Sequence, residues 1–357
     1  MSSVANTTMS ISSCSPDSMS LESYIVLNAS DQVAITILCG VTGSFCFLEN
    51  SLVLYLIFSS PKIRNKPSYL LISSLALADT LASIIFVGTF VSFHVFNGSS
   101  STKNLFLVEL GGVTTTFTAS LGSLLLMAFD RYICILRPSE YKVLVTVRKA
   151  VTALVVLWLT ILLIAFLPLL GWNCCSLNTE CSELFPFVDI RYLSSWIALV
   201  MMLLFSIIYA YMHVLWKAHK HVLRMEKHQP QSTQQNKKMR MDVTLAKTLV
   251  MILVVLMVCW SPVLALMTYS IFAKLDSCIR KVFAFCSTLC LMNSMVNPAI
   301  YALRSRELSS ALQRLFSCFG RISGIAESNA ETESTRQSCP VETVCDEMVS
   351  RSGEDQS

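Results

Sequence analysis

Seven apolar stretches of about 20 residues or more, each long enough to cross the roughly 30 Å hydrocarbon core of a bilayer, divide the 357-residue chain. Charged side chains are nearly absent from them. The expected spans are Val33 to Phe58, Ser68 to Phe93, Leu105 to Ile135, Ala150 to Gly171, Ile190 to Trp216, Val243 to Phe272 and Ile279 to Leu303. Without water, a spanning segment must satisfy its own backbone polar groups, and a run of this length does so as a helix. The expected fold class is an all-α membrane protein, a seven-transmembrane helix bundle over residues 33–304. An outer N-terminal segment (1–32) precedes it, and a short amphipathic helix (305–319) and a polar tail (320–357) follow. Composition agrees, with 54% hydrophobic and only 14% charged residues against about 25% charged in soluble domains.

Orientation follows from where Lys and Arg fall, because short basic loops stay in the cytoplasm. The first 32 residues carry none. The first loop holds Lys62, Arg64 and Lys66, the third Arg137, Lys142, Arg148 and Lys149, and the fifth Lys217, Lys220, Arg224, Lys227, Lys237, Lys238 and Arg240. The N-terminus is therefore expected outside and the C-terminus inside, and the basic runs mark topology rather than a nucleic-acid partner. No cleavable signal pattern precedes span 1, which is expected to serve as its own anchor. Sequons at Asn6, Asn28 and Asn97 all fall on the outer side as glycosylation candidates. Cys39, Cys46, Cys134, Cys259, Cys286 and Cys290 lie in spans, where cysteine packs as a small hydrophobe. Cys174, Cys175 and Cys181 share the acidic loop before span 5, in an oxidising compartment where one bridge can close a small ring. Cys174 with Cys181 is the favoured pair, and Cys175 with Cys181 competes with it.

Ionisable and amide groups at membrane depth are costly and point to function. Asp79 sits in the middle of span 2, with Asn50, Ser120, Asn293, Ser294 and Asn297 at comparable depth. Two readings stand together: an interhelical hydrogen-bond network, and a small-cation site built on Asp79, Ser120, Asn293 and Ser294, since hard cations prefer oxygen ligands. Glu49, beside Asn50, is expected to be paired or protonated. Asp130, Arg131 and Tyr132 close span 3 at its inner edge and Asp242 opens span 6 there, so an Arg131–Asp242 ion pair would tie two helix ends in a breakable way. Pro262 follows Trp260 in span 6 at a natural hinge. Asn297-Pro298-Ala299-Ile300-Tyr301 ends span 7.

Asn50, Leu75-Ala-Leu-Ala-Asp79, Asp130-Arg131-Tyr132, Trp158, Cys259-Trp260-Ser-Pro262 and Asn297-Pro-Ala-Ile-Tyr301, in this order, resemble the rhodopsin-like class of G-protein-coupled receptors. Lys66-Pro-Ser-Tyr69, Phe93-His-Val-Phe96, Phe117-Thr-Ala-Ser120, Leu215-Trp-Lys-Ala-His219, Phe283-Ala-Phe-Cys-Ser287 and Ala302-Leu-Arg-Ser305 are similar to the cannabinoid receptors. The similarity runs from about Tyr24 to Ser310. Features divide between that family's two branches. The short N-terminal segment, the doubled Cys174-Cys175 and the short fifth loop lean one way, and Arg224-Met225 and Gly171-Trp-Asn173 the other. Phe106 replaces the bridging cysteine that most relatives carry in span 3, which supports a bridge internal to the outer loop.

The resemblance implies a ligand pocket in the outer half of the bundle, lined by Phe86, Phe90, Phe93, His94, Phe106, Val113, Thr114, Phe117, Phe185, Trp196, Trp260, Val263, Met267, Phe283, Ser287 and Cys290. Such an aromatic wall with few polar handles suits a long-chain lipid bearing a hydroxyl or amide. Val113 removes the aspartate that amine receptors use, and Leu291 removes the lysine that a retinal Schiff base needs. Glu109 stands where the family has lysine, so Ser287 and backbone groups are expected to orient the ligand. The implied partners are neutral lipids such as 2-arachidonoylglycerol and anandamide, an inhibitory Gi/o protein, receptor kinases and arrestin. No cofactor is expected beyond a modulating sodium ion. In the inner segment, Leu308, Leu312, Leu315 and Phe316 would face lipid and Cys318 is a palmitoylation candidate. Ser334, Thr335, Ser338, Thr343, Ser350 and Ser352 are phosphorylation candidates in a tail too polar to fold alone. A transporter reading lacks an internal repeat, a lysophospholipid receptor would need basic residues in the outer pocket, and no catalytic constellation points to an enzyme.

Overall fold

The computed structural model describes residues 24, 26–95, 102–137, 139–228, 233–304 and 308–313, with side-chain surroundings omitted at 62, 95, 135–136, 218, 221–249 and 299–304. Seven long helices account for most of them: α1 (Ala29–Ser59), α2 (Pro67–Val95), α3 (Lys103–Leu136), α4 (Val147–Ala165), α5 (Ile190–His228), α6 (Thr233–Phe272) and α7 (Ser277–Arg304). Each contains a segment long and apolar enough to cross a membrane, which makes the chain a multi-pass membrane protein. The chain divides into two compact units, Met1–Ser309 and Ser310–Ser357, and the first contains all seven helices.

Helix starts are written locally. Asn28, Thr102 and Thr146 each accept a hydrogen bond from the backbone amide three residues on and cap α1, α3 and α4, which satisfies donors that a first turn leaves open. Asn28 is also one of the expected glycosylation positions, and it is exposed. The outward faces are apolar: Val33, Ile37, Leu48, Leu159, Phe205 and Val258 are all exposed, as a lipid-facing surface requires. The interior instead holds small and polar residues, which let helices approach closely and bond across their interfaces. Ala78 and Ala119 are wholly buried with Ile161 beside Leu157 and Trp158. The Trp158 indole N–H donates to Ser74 (3.0 Å), whose hydroxyl meets that of Ser123 at 2.9 Å, so α2, α3 and α4 share one polar contact.

Three boundaries differ from expectation. The fourth span was expected to reach Gly171, but α4 ends at Ala165 and a turn follows, because Pro168 lacks an amide hydrogen and disfavours helix in the residue before it. Helices α5 and α6 run past the expected Trp216 and Val243, to His228 and back to Thr233. Neither extension contains Gly or Pro, so nothing local stops the helix when it leaves the apolar zone. The basic residues expected in a fifth loop therefore lie on helices. Beyond α7, residues 308–313 are helical within the expected 305–319. Cys318, the tail positions, Asn6 and Asn97 lie outside the described residues.

A Cβ placed on Gly43 would fall 2.5 Å from Cγ2 of Val87, joining α1 to α2 at close range. The Val87 side chain is β-branched and cannot swing away freely. Overpacking of this kind costs about 1–3 kcal/mol, against a helix gain of about 1 kcal/mol for alanine over glycine. Gly43→Ala is expected to lower the detergent-solubilised Tm, and Val87→Ala in the same chain to restore it.

Candidate ligand cavity and inner switch

A cavity opens at one end of the bundle between α2, α3, α5, α6 and α7, and every residue expected in its wall borders it. Helical spacing explains the aromatic side. Phe86, Phe90 and His94 recur every four residues and so line one face of α2. Phe86 meets Phe90 at 5.2 Å and Phe117 of α3 edge-on at 5.5 Å, and Phe117 meets Trp260 of α6 edge-on at 5.9 Å. Higher up, Phe93 packs on His94 and on Phe106, and Phe185 from the outer loop packs on Phe283 of α7 at 5.7 Å. Edge-on pairs of this kind add about 0.5–1.5 kcal/mol beyond burial. Val113, Thr114, Trp196, Val263, Met267, Ser287 and Cys290 complete the expected set. The Trp196 indole is anchored by donating to Thr118 at 3.2 Å.

The loop between α4 and α5 forms the roof. Cys174 and Cys181 are disulfide-bonded with Cα atoms 5.2 Å apart. Cys175 is disulfide-bonded as well, so the two neighbours do not compete for Cys181. The Asp189 carboxylate accepts from the amides of Arg191 (2.7 Å) and Tyr192 (3.4 Å) at the start of α5, and from the Thr179 hydroxyl, which fixes the loop to the helix. Phe187 adopts a left-handed backbone (φ 64°), uncommon for a bulky residue, and packs its buried ring on Phe106. Leu184, Phe185, Pro186 and Val188 of this loop reach the cavity. Only Phe185 was anticipated, because a loop has no periodicity to show which residues point inward.

Two further residues that no sequence pattern singles out also border the cavity. Tyr24 precedes α1, and its hydroxyl donates to the Ser182 carbonyl at 3.1 Å. Arg280 sits in the first turn of α7, stacks over the Tyr24 ring at 5.5 Å and donates to Glu183 at 2.6 Å. Burial raises the Tyr24 pKa, with Arg280 opposing the shift and Glu183 adding to it. Beside them Lys281 pairs with Asp31 of α1, and Gln32 donates to the His94 carbonyl at 2.9 Å. Within the cavity Ser287 donates to the Phe283 carbonyl at 2.8 Å, leaving its oxygen lone pairs available. The indole N–H of Trp260 and Nδ1 of His94 are buried and unbonded among the described residues. Glu109 is half-buried on α3 and does not border the cavity.

Below the cavity the Asp79 carboxylate is fully buried. Ser120 of α3 and Ser294 of α7 donate to one oxygen and Asn297 of α7 to the other, all at 2.8 Å. Asn50 of α1 donates to the Ser294 carbonyl at 3.2 Å, and its own side-chain oxygen is buried without a partner among the described residues. Asn297, expected in the switch, thus touches Asp79 directly. Asn293 is buried nearby in sequence without such a bond among those described.

At the inner edge Arg131 pairs with Asp130 and donates to Ser68 at 2.6 Å. Asp130 also accepts from Ser68 (3.1 Å) and from Tyr141 (2.7 Å). Burial raises the Tyr141 pKa, Ser68 lowers it, and the Asp130 carboxylate raises it further. Tyr141 opens a single helical turn, Tyr141–Leu144, in the connection after α3, a segment whose sequence shows only its basic charge. Tyr132 packs against His213 of α5 at 5.2 Å. Pro262 and Pro298 lie inside α6 and α7. The side chains of Asp242 and Tyr301 lie outside the described residues, and with them the expected Arg131–Asp242 pair.

The family described as 7 transmembrane receptor (rhodopsin family) matches residues 49–301. Cannabinoid receptor 2 of Mus musculus is 52% identical over 293 residues, covering 82% of this chain and 84% of that protein. Cannabinoid receptor 2 of Homo sapiens is 48% identical over 322 residues, covering 90% and 89%. Cannabinoid receptor 1 of Xenopus laevis is 50% identical over 321 residues, covering 86% and 68%. Since closing a loop of this length restrains it by about 2 kcal/mol, Cys181→Ser is expected to loosen the roof. Amide hydrogen exchange across residues 174–189 should accelerate in that variant, with exchange in the buried helices unchanged.

Proposed function

The chain belongs to the cannabinoid receptors of the rhodopsin-like family, and from that footing we propose that it is a plasma-membrane receptor for neutral long-chain lipids such as 2-arachidonoylglycerol and anandamide. Its N-terminus faces outward and its cytoplasmic face couples to inhibitory Gi/o proteins, lowering cyclic AMP. Of the family's two branches we assign type 2, on the doubled Cys174-Cys175 and the short span between α5 and α6. The observation that carries the ligand class is the continuous aromatic wall from Phe93 to Trp260. Each buried CH₂ contributes about 0.8 kcal/mol, so an acyl chain against this wall supplies most of the affinity.

Signalling follows as a population shift. A ligand that packs better on Phe117 and Trp260 when α6 is displaced lowers the free energy of that state, and only such differential affinity moves the equilibrium. Pro262 supplies the hinge, Arg131 becomes available to the G protein, and phosphorylated tail positions would recruit arrestin. Antagonists and inverse agonists occupy the same cavity and favour the closed arrangement.

The Asp79 cluster fits a sodium ion as modulator. It offers a carboxylate, two serine hydroxyls and, in the same network, the unbonded oxygen of Asn50. Asp79, Ser120 and Ser294 would hold the ion, which supplies a positive charge that stabilises the resting helix arrangement. Asp79→Asn keeps hydrogen-bonding capacity and removes the charge, so it is expected to abolish the effect of sodium on agonist affinity.

Cyclic AMP measured in cells across a lipid panel tests the main reading. Inhibition by arachidonoyl glycerol and ethanolamide is expected, and a response confined to an unrelated anionic lipid would overturn it. Ser287→Ala should weaken agonists about fivefold, as for one hydrogen bond of about 1 kcal/mol. Glu109→Lys should change potency little, since that side chain is outside the wall. A large gain from Glu109→Lys with no effect of Ser287→Ala would reject Ser287 as the orienting group.

A further inference from the structure

A second hollow lies between α3 and α5, where Phe129 and Tyr132 of α3 face Ala198, Met202, Phe205 and Tyr209 of α5. Met202, Phe205 and Tyr209 are exposed, so the groove opens toward the membrane. Its α5 residues recur every three or four positions, and the same stripe runs on beyond the groove through His213, Trp216 and Lys220, with Lys217 beside it. Ring contacts join the two parts. His213 packs on Tyr209 at 6.2 Å, on Tyr132 at 5.2 Å and on Trp216 at 5.8 Å. The ammonium groups of Lys217 and Lys220 stand over the Trp216 ring, 5.3 and 5.2 Å from its centre. Neither lysine has a carboxylate partner among the described residues. The apolar segment of α5 ends at Lys217, which puts these charges at the membrane boundary and the groove in the hydrocarbon.

We infer that this stripe binds one anionic phospholipid, with an acyl chain in the α3–α5 groove and the headgroup phosphate on Lys217 and Lys220. The dimensions fit. Phe205 and Lys217 are twelve residues apart, a rise of about 18 Å along a helix, close to the depth of one leaflet of a roughly 30 Å core. Methionine and aromatic side chains adapt to a flexible chain and offer it a broad apolar surface. At the other end, two like charges gathered round one ring repel each other, and a shared phosphate relieves that repulsion. A zwitterionic headgroup brings its own cation to the same place and gains less. Tyr132 belongs both to the groove and to the Asp130-Arg131-Tyr132 turn, so a bound chain rests against the switch helix. In the orientation proposed above this end faces the cytoplasm, whose leaflet carries the anionic lipids.

The test places the full-length receptor in phosphatidylcholine nanodiscs, whose two leaflets are equally accessible, so the result does not depend on orientation. A trace of phosphatidylglycerol, or of phosphatidylcholine, carries the same diazirine in the middle of one acyl chain. After illumination, labelling of residues 198–210 is mapped and divided by labelling of α4, where Val155, Leu159 and Leu163 are also exposed. That normalisation removes differences in the amount of receptor. Phosphatidylglycerol is expected to label the groove in preference to phosphatidylcholine. The preference should fall about fivefold for each of Lys217→Gln and Lys220→Gln, the scale of one basic residue at an anionic membrane surface. It should shrink in high salt as the charges are screened. Equal labelling of the groove by the two probes in the unaltered receptor overturns the inference, as does a preference that survives the loss of both lysines.

Discussion

Three hydrogen bonds at 2.8 Å converge on the Asp79 carboxylate, one from α3 and two from α7, and a fourth helix joins through Asn50. In a bilayer interior no water competes for these donors, and each unsatisfied group there costs several kcal/mol. The donors are short side chains, so they reach Asp79 only when the helices stand close together. That proximity is possible because their facing surfaces carry alanine, glycine and serine. Polar satisfaction and close packing therefore select the same arrangement of helices.

The cavity and the inner switch lie on opposite sides of this cluster and are connected to it by shared helices. Trp260 stands under the aromatic wall, two residues before the α6 proline. Asn297 belongs both to the Asp79 cluster and to the Asn297-Pro298 segment that leads to the inner end of α7. At the far edge, Asp130 gathers Arg131, Ser68 and Tyr141. Trp260 packs on Phe117 of α3, and the same helix carries Ser120, which donates to Asp79.

The helices were legible in the sequence because apolar length is a property of one segment. Phe86, Phe90 and His94 were expected in the wall from the family resemblance, and their four-residue recurrence on α2 is what puts them on one face. Boundaries were less legible: α5 and α6 outrun their apolar segments, since helix formation continues until a proline or glycine stops it. Loops carried no such pattern. Tyr24, Glu183 and Arg280 are separated by 97 residues or more from one another in at least one direction, and no local feature announces that they meet at one rim. Glu109 shows the converse. Its position in the family pattern pointed to the ligand, whereas its side chain lies outside the wall.

The sequence by itself determined that this chain carries seven segments fit to cross a membrane and that the polar residues at their middle depth are exceptions. These follow from the free energy of placing each side chain in hydrocarbon, a quantity that one segment carries alone. Only the tertiary structure decided that Cys174 rather than Cys175 closes the ring with Cys181, that Asn297 is a direct partner of Asp79, and that an ion pair closes the rim. Those depend on distances between residues far apart in the chain, and such distances exist only after the helices have packed.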